Sequence, residues 1–364
     1  MTQPPAQRAP ARWEGRRPVG KSPLAPLFQR GELLIFPLFE RGIERGVVSN
    51  AKHLKHALRT TAGTMVFRGT VLWSRIPIAS LSTPSETREN IVRIDSHVHV
   101  WTDGSPPFTH NDGMTTSRPK YPGRVEDLMA FMDRNRIDRT VLIQCFYYGY
   151  DNRYMCHCLE RFPDRLHAVA LIDPLKPGAP EKLERLHKDH GVQGMRLYPI
   201  KDEDASWQSR DEQNALWERA RKLGVPFTWF GRCDQIPFLE PMLQRFPDVN
   251  IIIDHLGEPV LSEGLDGSFK NLLGLAKHSH VYVKATRIDG ISNQPWPHED
   301  VQPFVKAVYE SFGADRMLGC TGFPEDPQRG EAVGFRVVEE TLDFLSEADK
   351  AWILGKTAES LYVL

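Results

Sequence analysis

Residues 94–101 read Ile-Asp-Ser-His-Val-His-Val-Trp, and this stretch decides the fold. It has the composition of a short strand and carries His97 and His99 two residues apart. Side chains at that spacing share one strand face, so the two imidazoles point the same way. A lone His-x-His is a weak signal, and two core or surface histidines would produce it equally well. Its context raises its meaning, because the strand opens a long run of alternating elements.

From Ile91 onward, short apolar runs alternate with amphipathic stretches, the pattern of βα units around a parallel sheet. Strands are expected near residues 91–98, 139–145, 166–172, 192–197, 225–230, 249–254, 281–285 and 316–320. Helices follow near 124–135, 152–162, 179–190, 211–223, 236–246, 267–277, 300–312 and 331–345, and Glu347–Gly355 and Ala358–Leu364 close the chain. Thr140-Val-Leu-Ile-Gln144 and Asn250-Ile-Ile-Ile-Asp254 are near-continuous β-branched runs, as strands buried on both faces require. Eight such units fit an α/β fold of the (β/α)8 TIM-barrel type. A doubly wound sheet is the competing architecture, but no Gly-x-Gly-x-x-Gly follows the first strand.

Residues 1–90 differ from the rest. They hold 14 Lys and Arg against 6 Glu and no Asp, a balance of +8, while residues 91–364 carry -9. The hexamer Pro-Leu-Phe-x-Arg-Gly occurs at Pro26–Gly31 and again at Pro37–Gly42. The expectation is a poorly ordered N-terminal extension over 1–90 and a barrel domain over 91–364. An Arg-rich, acid-poor leader suits a transit peptide, but Glu14, Glu32, Glu40 and Glu44 interrupt it, and Met65 is an internal start candidate.

The whole chain has 364 residues and a formal charge of -1, which gives no electrostatic case for nucleic acid. No apolar run reaches the roughly 18–20 residues that span a membrane. The five cysteines include no Cys-x-x-Cys, so reduced thiols in a cytoplasmic setting are expected rather than a disulfide framework. Cys156-His157-Cys158 resembles a metal cluster, but adjacent helical residues point to different faces.

Catalytic groups of a parallel barrel sit at the C-terminal ends of its strands. His97 and His99 end strand one, and His255 follows strand six in Asp254-His-Leu-Gly-Glu-Pro259. These three are the candidate catalytic residues and the candidate metal ligands, since imidazole suits zinc, manganese or iron. The cations Arg196, Arg232, Lys284 and Arg287 lie at or just beyond strand ends and are candidates to clamp a substrate carboxylate. Tyr147, Tyr148, Tyr150, Trp101 and Trp229 could line an aromatic wall, although such clusters more often serve packing.

With these residues in place, residues 91–364 resemble the amidohydrolase-related (amidohydrolase 2) family, in the branch of sugar-lactone and pyrone-dicarboxylate lactonases. The matching motifs are Asp95-Ser-His-Val-His-Val-Trp101, Val192-Gln-Gly-Met-Arg196, Phe246-Pro247, Ile253-Asp-His-Leu-Gly-Glu-Pro259, Val281-Tyr-Val-Lys284 and Arg316-Met-Leu through Phe323-Pro324. The resemblance implies a hydrolase that opens a lactone, or a similar C–O or C–N bond, in a small anionic substrate such as an organic acid. It also implies a divalent ion, zinc or manganese, at an incomplete site. A metal-assisted decarboxylase and a ligand-binding barrel without catalysis are the alternatives. No nucleic-acid or membrane partner is implied, and a homo-oligomer is left open.

The chain departs from the family twice. The last-strand motif of the family reads Gly-Ser/Thr-Asp-Trp/Phe-Pro, and aligning Phe323-Pro324 puts Gly322 where its aspartate belongs. Strand five reads Thr228-Trp-Phe-Gly-Arg232 and lacks the histidine of many relatives. Glu325 and Asp326 are the nearby carboxylates that could substitute for the missing base.

Overall fold

The structure, a computed structural model, describes residues 92–362 except 112–113, 122, 286 and 325–329. The N-terminal extension and the carboxylates Glu325 and Asp326 therefore lie outside the described residues.

Eight parallel strands pair in chain order: β1 Ile94–Val98, β2 Arg139–Ile143, β3 Leu166–Leu171, β4 Met195–Leu197, β5 Phe227–Trp229, β6 Ile251–Ile253, β7 Val281–Lys284 and β8 Met317–Leu318. Contacts between β8 and β1 bring the sheet close to a full circle, for Ser96 N donates to Gly319 O at 3.2 Å and Gly322 N to His97 O at 3.1 Å. This is the expected TIM barrel. The helices between strands are α1 Val125–Asn135, α2 Arg153–Arg161, α3 Ala179–His190, α4 Asn214–Leu223, α5 Ile236–Arg245, α6 Lys270–Gly274, then α7 Ile288–Ile291 and α8 Gln302–Phe312. After β8 come α9 Val333–Glu340, α10 Glu347–Ala351 and α11 Thr357–Leu361.

Local chemistry sets these boundaries. In α1, Glu126 and Asp127 favour the positive N-terminal turn, and Asp127 accepts from the Arg124 backbone N–H. Helices α3 and α4 end on left-handed Gly191 and Gly224, which satisfy the last carbonyls without a Cβ clash. Two apolar layers result. The larger packs helices on the outer strand faces, for example Trp217 edge-on to Phe227. The smaller joins Ile94, Val141, Ile143, Val169, Ile252 and Leu318 to Ala358, Leu361 and Tyr362 of the C-terminal segment. That segment approaches β1 so closely that a Cβ on Gly355 would lie 1.9 Å from Val92 O, so only glycine fits.

Candidate active site at the barrel mouth

Strand β1 delivers His97 and His99 to the C-terminal mouth, where the ladder to β2 shifts register between Asp95 and Val98. Their Nε2 atoms lie 3.2 Å apart. Asp95 supports this turn from below. It is fully buried and accepts from His97 N at 3.1 Å, Thr321 N at 3.0 Å and the Thr321 hydroxyl. Burial pushes its carboxyl up to about 6, partly offset by those hydrogen bonds.

Strand β6 delivers Asp254 and His255. Four consecutive residues then hold positive φ: His255 at 50°, Leu256 at 55°, Gly257 at 70° and Glu258 at 49°. Left-handed backbone costs about 1–2 kcal/mol per non-glycine residue. The turn persists because packing fixes it, and strain of this kind clusters where side-chain aim matters. His255 is buried, its ring centroid is 4.6 Å from that of His97, and its Nδ1 has no hydrogen-bond partner among the described residues.

The centre of the cluster is Asp254, with no exposed surface. Arg196 of β4 places both Nε and Nη2 2.8 Å from its Oδ2. Lys284 of β7 places Nζ 2.9 Å from its Oδ1. Burial alone would raise the Asp254 carboxyl, but Lys284 and Arg196 outweigh it and hold the group well below the carboxylate range. The imidazoles move the other way. Burial, reinforced by Lys284, keeps His97 far below its ordinary value. Burial, reinforced by Arg196, brings His99 to about 3. Burial likewise keeps His255 neutral, against the pull of Asp254.

The tautomers follow from the network. The Ile143 carbonyl, 2.7 Å from His99 Nδ1, can only accept, so His99 carries its proton there and presents a lone pair at Nε2. The Lys284 ammonium, 3.2 Å from His97 Nδ1, can only donate. Asp254 Oδ1 also lies 3.5 Å from His97 Nδ1, and the shorter Lys284 contact assigns the His97 proton to Nε2, facing His99.

Among the described residues, His97, Asp254 and His255 form the group whose ligand atoms lie within 4.8 Å of one another, a set that could hold a divalent ion. Metal-ligating histidines ordinarily give their second nitrogen to an acceptor. His99 does so, whereas His97 Nδ1 faces the Lys284 ammonium at 3.2 Å and Asp254 Oδ1 at 3.5 Å. Asp254 Oδ2 accepts from Arg196, while Oδ1 faces the Lys284 ammonium at 2.9 Å as an ion pair without a hydrogen bond. Asp254 Oδ1 and His255 Nδ1 lack hydrogen-bond partners among the described residues, and an ion held by this group would have to displace the Lys284 ammonium.

The other sequence candidates separate. Arg196 and Lys284, expected to clamp a substrate carboxylate, both pair with Asp254. Arg287 pairs with Glu258 at 3.2 Å. Arg232 turns to the start of α5 and bonds Asp234 and the Ile200 carbonyl. Trp229 is fully buried and donates to Gln208, whereas Trp101 packs edge-on to Tyr147 with centroids 5.2 Å apart. Tyr148 binds Thr102 through its hydroxyl. Tyr150 lines a cavity of about 280 Å³ together with Arg196, Tyr198, Lys201, Asp173 and Trp207. Arg196 thus pairs with Asp254 and also borders this cavity. Cys156 and Cys158 are buried on α2.

The sequence profile of the amidohydrolase family matches residues 94–364. The chain belongs to the amidohydrolase family. Two relatives illustrate the match. An L-fucono-1,5-lactonase of Burkholderia ambifaria is 26% identical over 243 residues, covering 64% of this chain and 80% of the relative. A 4-sulfomuconolactone hydrolase of Rhizobium radiobacter is 30% identical over 246 residues, covering 65% and 78%. A crystal structure of a probable 2-pyrone-4,6-dicarboxylic acid hydrolase from Acinetobacter baumannii superposes with a TM-score of 0.65 at 18% identity, over 75% of this chain and 99% of that one, and shares the fold. The protein is accordingly an amidohydrolase-type enzyme on a TIM barrel.

Within that family frame, Gly322 is a structural residue of this chain. Its φ is +70° and its N–H ties the last loop to β1 at His97 O. Sequence reasoning gave Asp254 no role, naming it only within the Asn250–Asp254 run and the Asp254–Pro259 motif. The available signal was parity: Asp254 shares a strand face with Ile252 of the inner apolar layer.

Proposed function

We propose that this amidohydrolase opens the ring of a small lactone. Water adds to the ring carbonyl carbon, the acyl C–O bond breaks, and the ring oxygen leaves with a proton as the hydroxyl of a hydroxy acid. The named substrates of the two relatives, a fuconolactone and a sulfomuconolactone, support this bond class.

The observation that carries the proposal is a neutral, buried imidazole with an unpartnered nitrogen beside a buried cation. His255 Nδ1 is suited to take a proton from water, because burial keeps the ring unprotonated. Arg196 borders the cavity and is fixed by Asp254, so its charge is oriented before the carbonyl oxygen becomes negative. His97 and His99 wall this side of the site, their ring nitrogens engaged by Lys284, by each other and by the Ile143 carbonyl. Zinc or manganese held by His97, Asp254 and His255 would have to displace the Lys284 ammonium.

Cys145, Cys156, Cys158, Cys233 and Cys320 are all buried thiols, which supports a reducing, cytoplasmic setting. No helix among the described residues is long and apolar enough to cross a membrane. The proposal is tested by hydrolysis of a panel of sugar lactones and carboxylated lactones, with His255→Gln as the paired variant. General-base loss should lower kcat by about 10²–10⁴-fold. Equal rates for the two proteins would remove His255 from the reaction.

A further inference from the structure

We infer that the Lys284 ammonium takes the place of a divalent ion in this barrel. It works as a positioning residue that acts through Asp254 and His97. The inference goes beyond the lactone reading and does not depend on turnover.

Three observations carry it. First, Lys284 has no exposed surface, and its Nζ sits 2.9 Å from Asp254 Oδ1 and 3.2 Å from His97 Nδ1, two members of the group that could otherwise bind a metal. A lysine this deeply buried needs a counter-charge, and Asp254 is placed to supply it. Second, the ammonium is the nearer of two groups at His97 Nδ1, at 3.2 Å against 3.5 Å for Asp254 Oδ1, and it biases the His97 tautomer. With a donor on Nδ1, the ring carries hydrogen on Nε2, which is the atom that would share a metal with His99 Nε2 at 3.2 Å. Third, the last-strand position that would complete a metal's ligand set is Gly322, which offers no side-chain donor. A fixed positive charge, a lost carboxylate and a protonated Nε2 agree with one another. Each is what a site requires when its cation is part of the chain.

The experiment measures metal directly. Wild-type protein is stripped with a chelator, re-exposed to zinc, and analysed by mass spectrometry of metal content and by titration calorimetry. Nitrogen NMR of histidine-labelled protein, assigned with His97→Gln, reports the His97 tautomer. Wild type should hold substoichiometric zinc and show hydrogen on His97 Nε2. Lys284→Met keeps the length of the side chain and removes the charge. It should bind zinc roughly 10–100-fold more tightly, the size of effect that groups next to metal ligands exert. A chelator-resistant, stoichiometric zinc ion in wild type overturns the inference. So does a hydrogen on His97 Nδ1, or a folded Lys284→Met whose zinc affinity is unchanged. Should Lys284→Met fail to fold, the balanced pair Lys284→Met with Asp254→Asn takes its place, since His97, His99 and His255 remain to bind. Lactone turnover is scored separately, so loss of the hydrolase reading would leave the metal result standing.

Discussion

Replacing Asp254 by asparagine removes one carboxylate from two buried cations. Arg196 is 3% exposed and Lys284 0%, and each contacts a different Asp254 oxygen at 2.8 and 2.9 Å. Removing one partner of a buried pair costs about 3–5 kcal/mol, because the other charge stays desolvated. Here two charges lose the same partner. Their costs do not add fully, since the groups are neighbours. A lower bound of about 3 kcal/mol corresponds to a Tm drop of at least roughly 6 °C for a domain of this size. The surface pair Arg232–Asp234, with side chains 39% and 59% exposed, provides the control. Asp234→Asn should cost less than about 1 kcal/mol. Adding Lys284→Met to Asp254→Asn removes one unmatched charge and should recover part of the loss. Thermal melts followed by circular dichroism would read all four proteins. An Asp254→Asn protein that melts with wild type, or a double variant less stable than the single, would refute the claim that Asp254 neutralises this cluster.

Three further outcomes follow from the same structure. His99 is held at about 3 in the folded protein against 6.5 in the free side chain, so the unfolded chain binds the extra proton and stability falls as pH drops through 6.5. Urea unfolding at about pH 7.5 and 5.0 should show His99→Gln losing roughly 1–2 kcal/mol less than wild type, the linkage value reduced for a ring partly open to the mouth; identical losses would contradict a buried neutral His99. Gly322→Asp places a side chain at a φ of +70°, so it should cost about 1 kcal/mol and bring neither tighter zinc binding nor faster lactone turnover while Lys284 remains, and a metal-dependent rise in rate would oppose this account. Deleting residues 1–85 should leave the melting temperature nearly unchanged, and loss of soluble folded protein would show that the barrel needs them.

The barrel was legible because its strands are β-branched runs at regular spacing, as Ile251-Ile-Ile253 shows. Boundaries were less so. The fourth strand, expected over 192–197, begins at Met195, since Val192 closes the end of α3 by donating to Leu186 O. The helix expected over 267–277 is helical as α6 only at Lys270–Gly274, and the one over 331–345 only at Val333–Glu340. Strand-end geometry pointed to His97, His99 and His255. It placed Arg196 and Lys284 at the mouth but could not show what they face. Their pairing with Asp254 joins β4, β6 and β7, and such contacts leave no trace in local spacing. Arg232 misled for a related reason: three residues past the strand, it caps the short turn Cys233–Gln235 that leads into α5, and its side chain pairs locally.

The most direct test of the account is lactone hydrolysis by chelator-treated wild-type protein, followed as proton release alongside His255→Gln. The account predicts ring opening by the metal-stripped wild type and a loss of about 10²-fold or more in the variant. A folded, metal-stripped wild type that opens no lactone, and regains activity only when zinc or manganese is added, would contradict it.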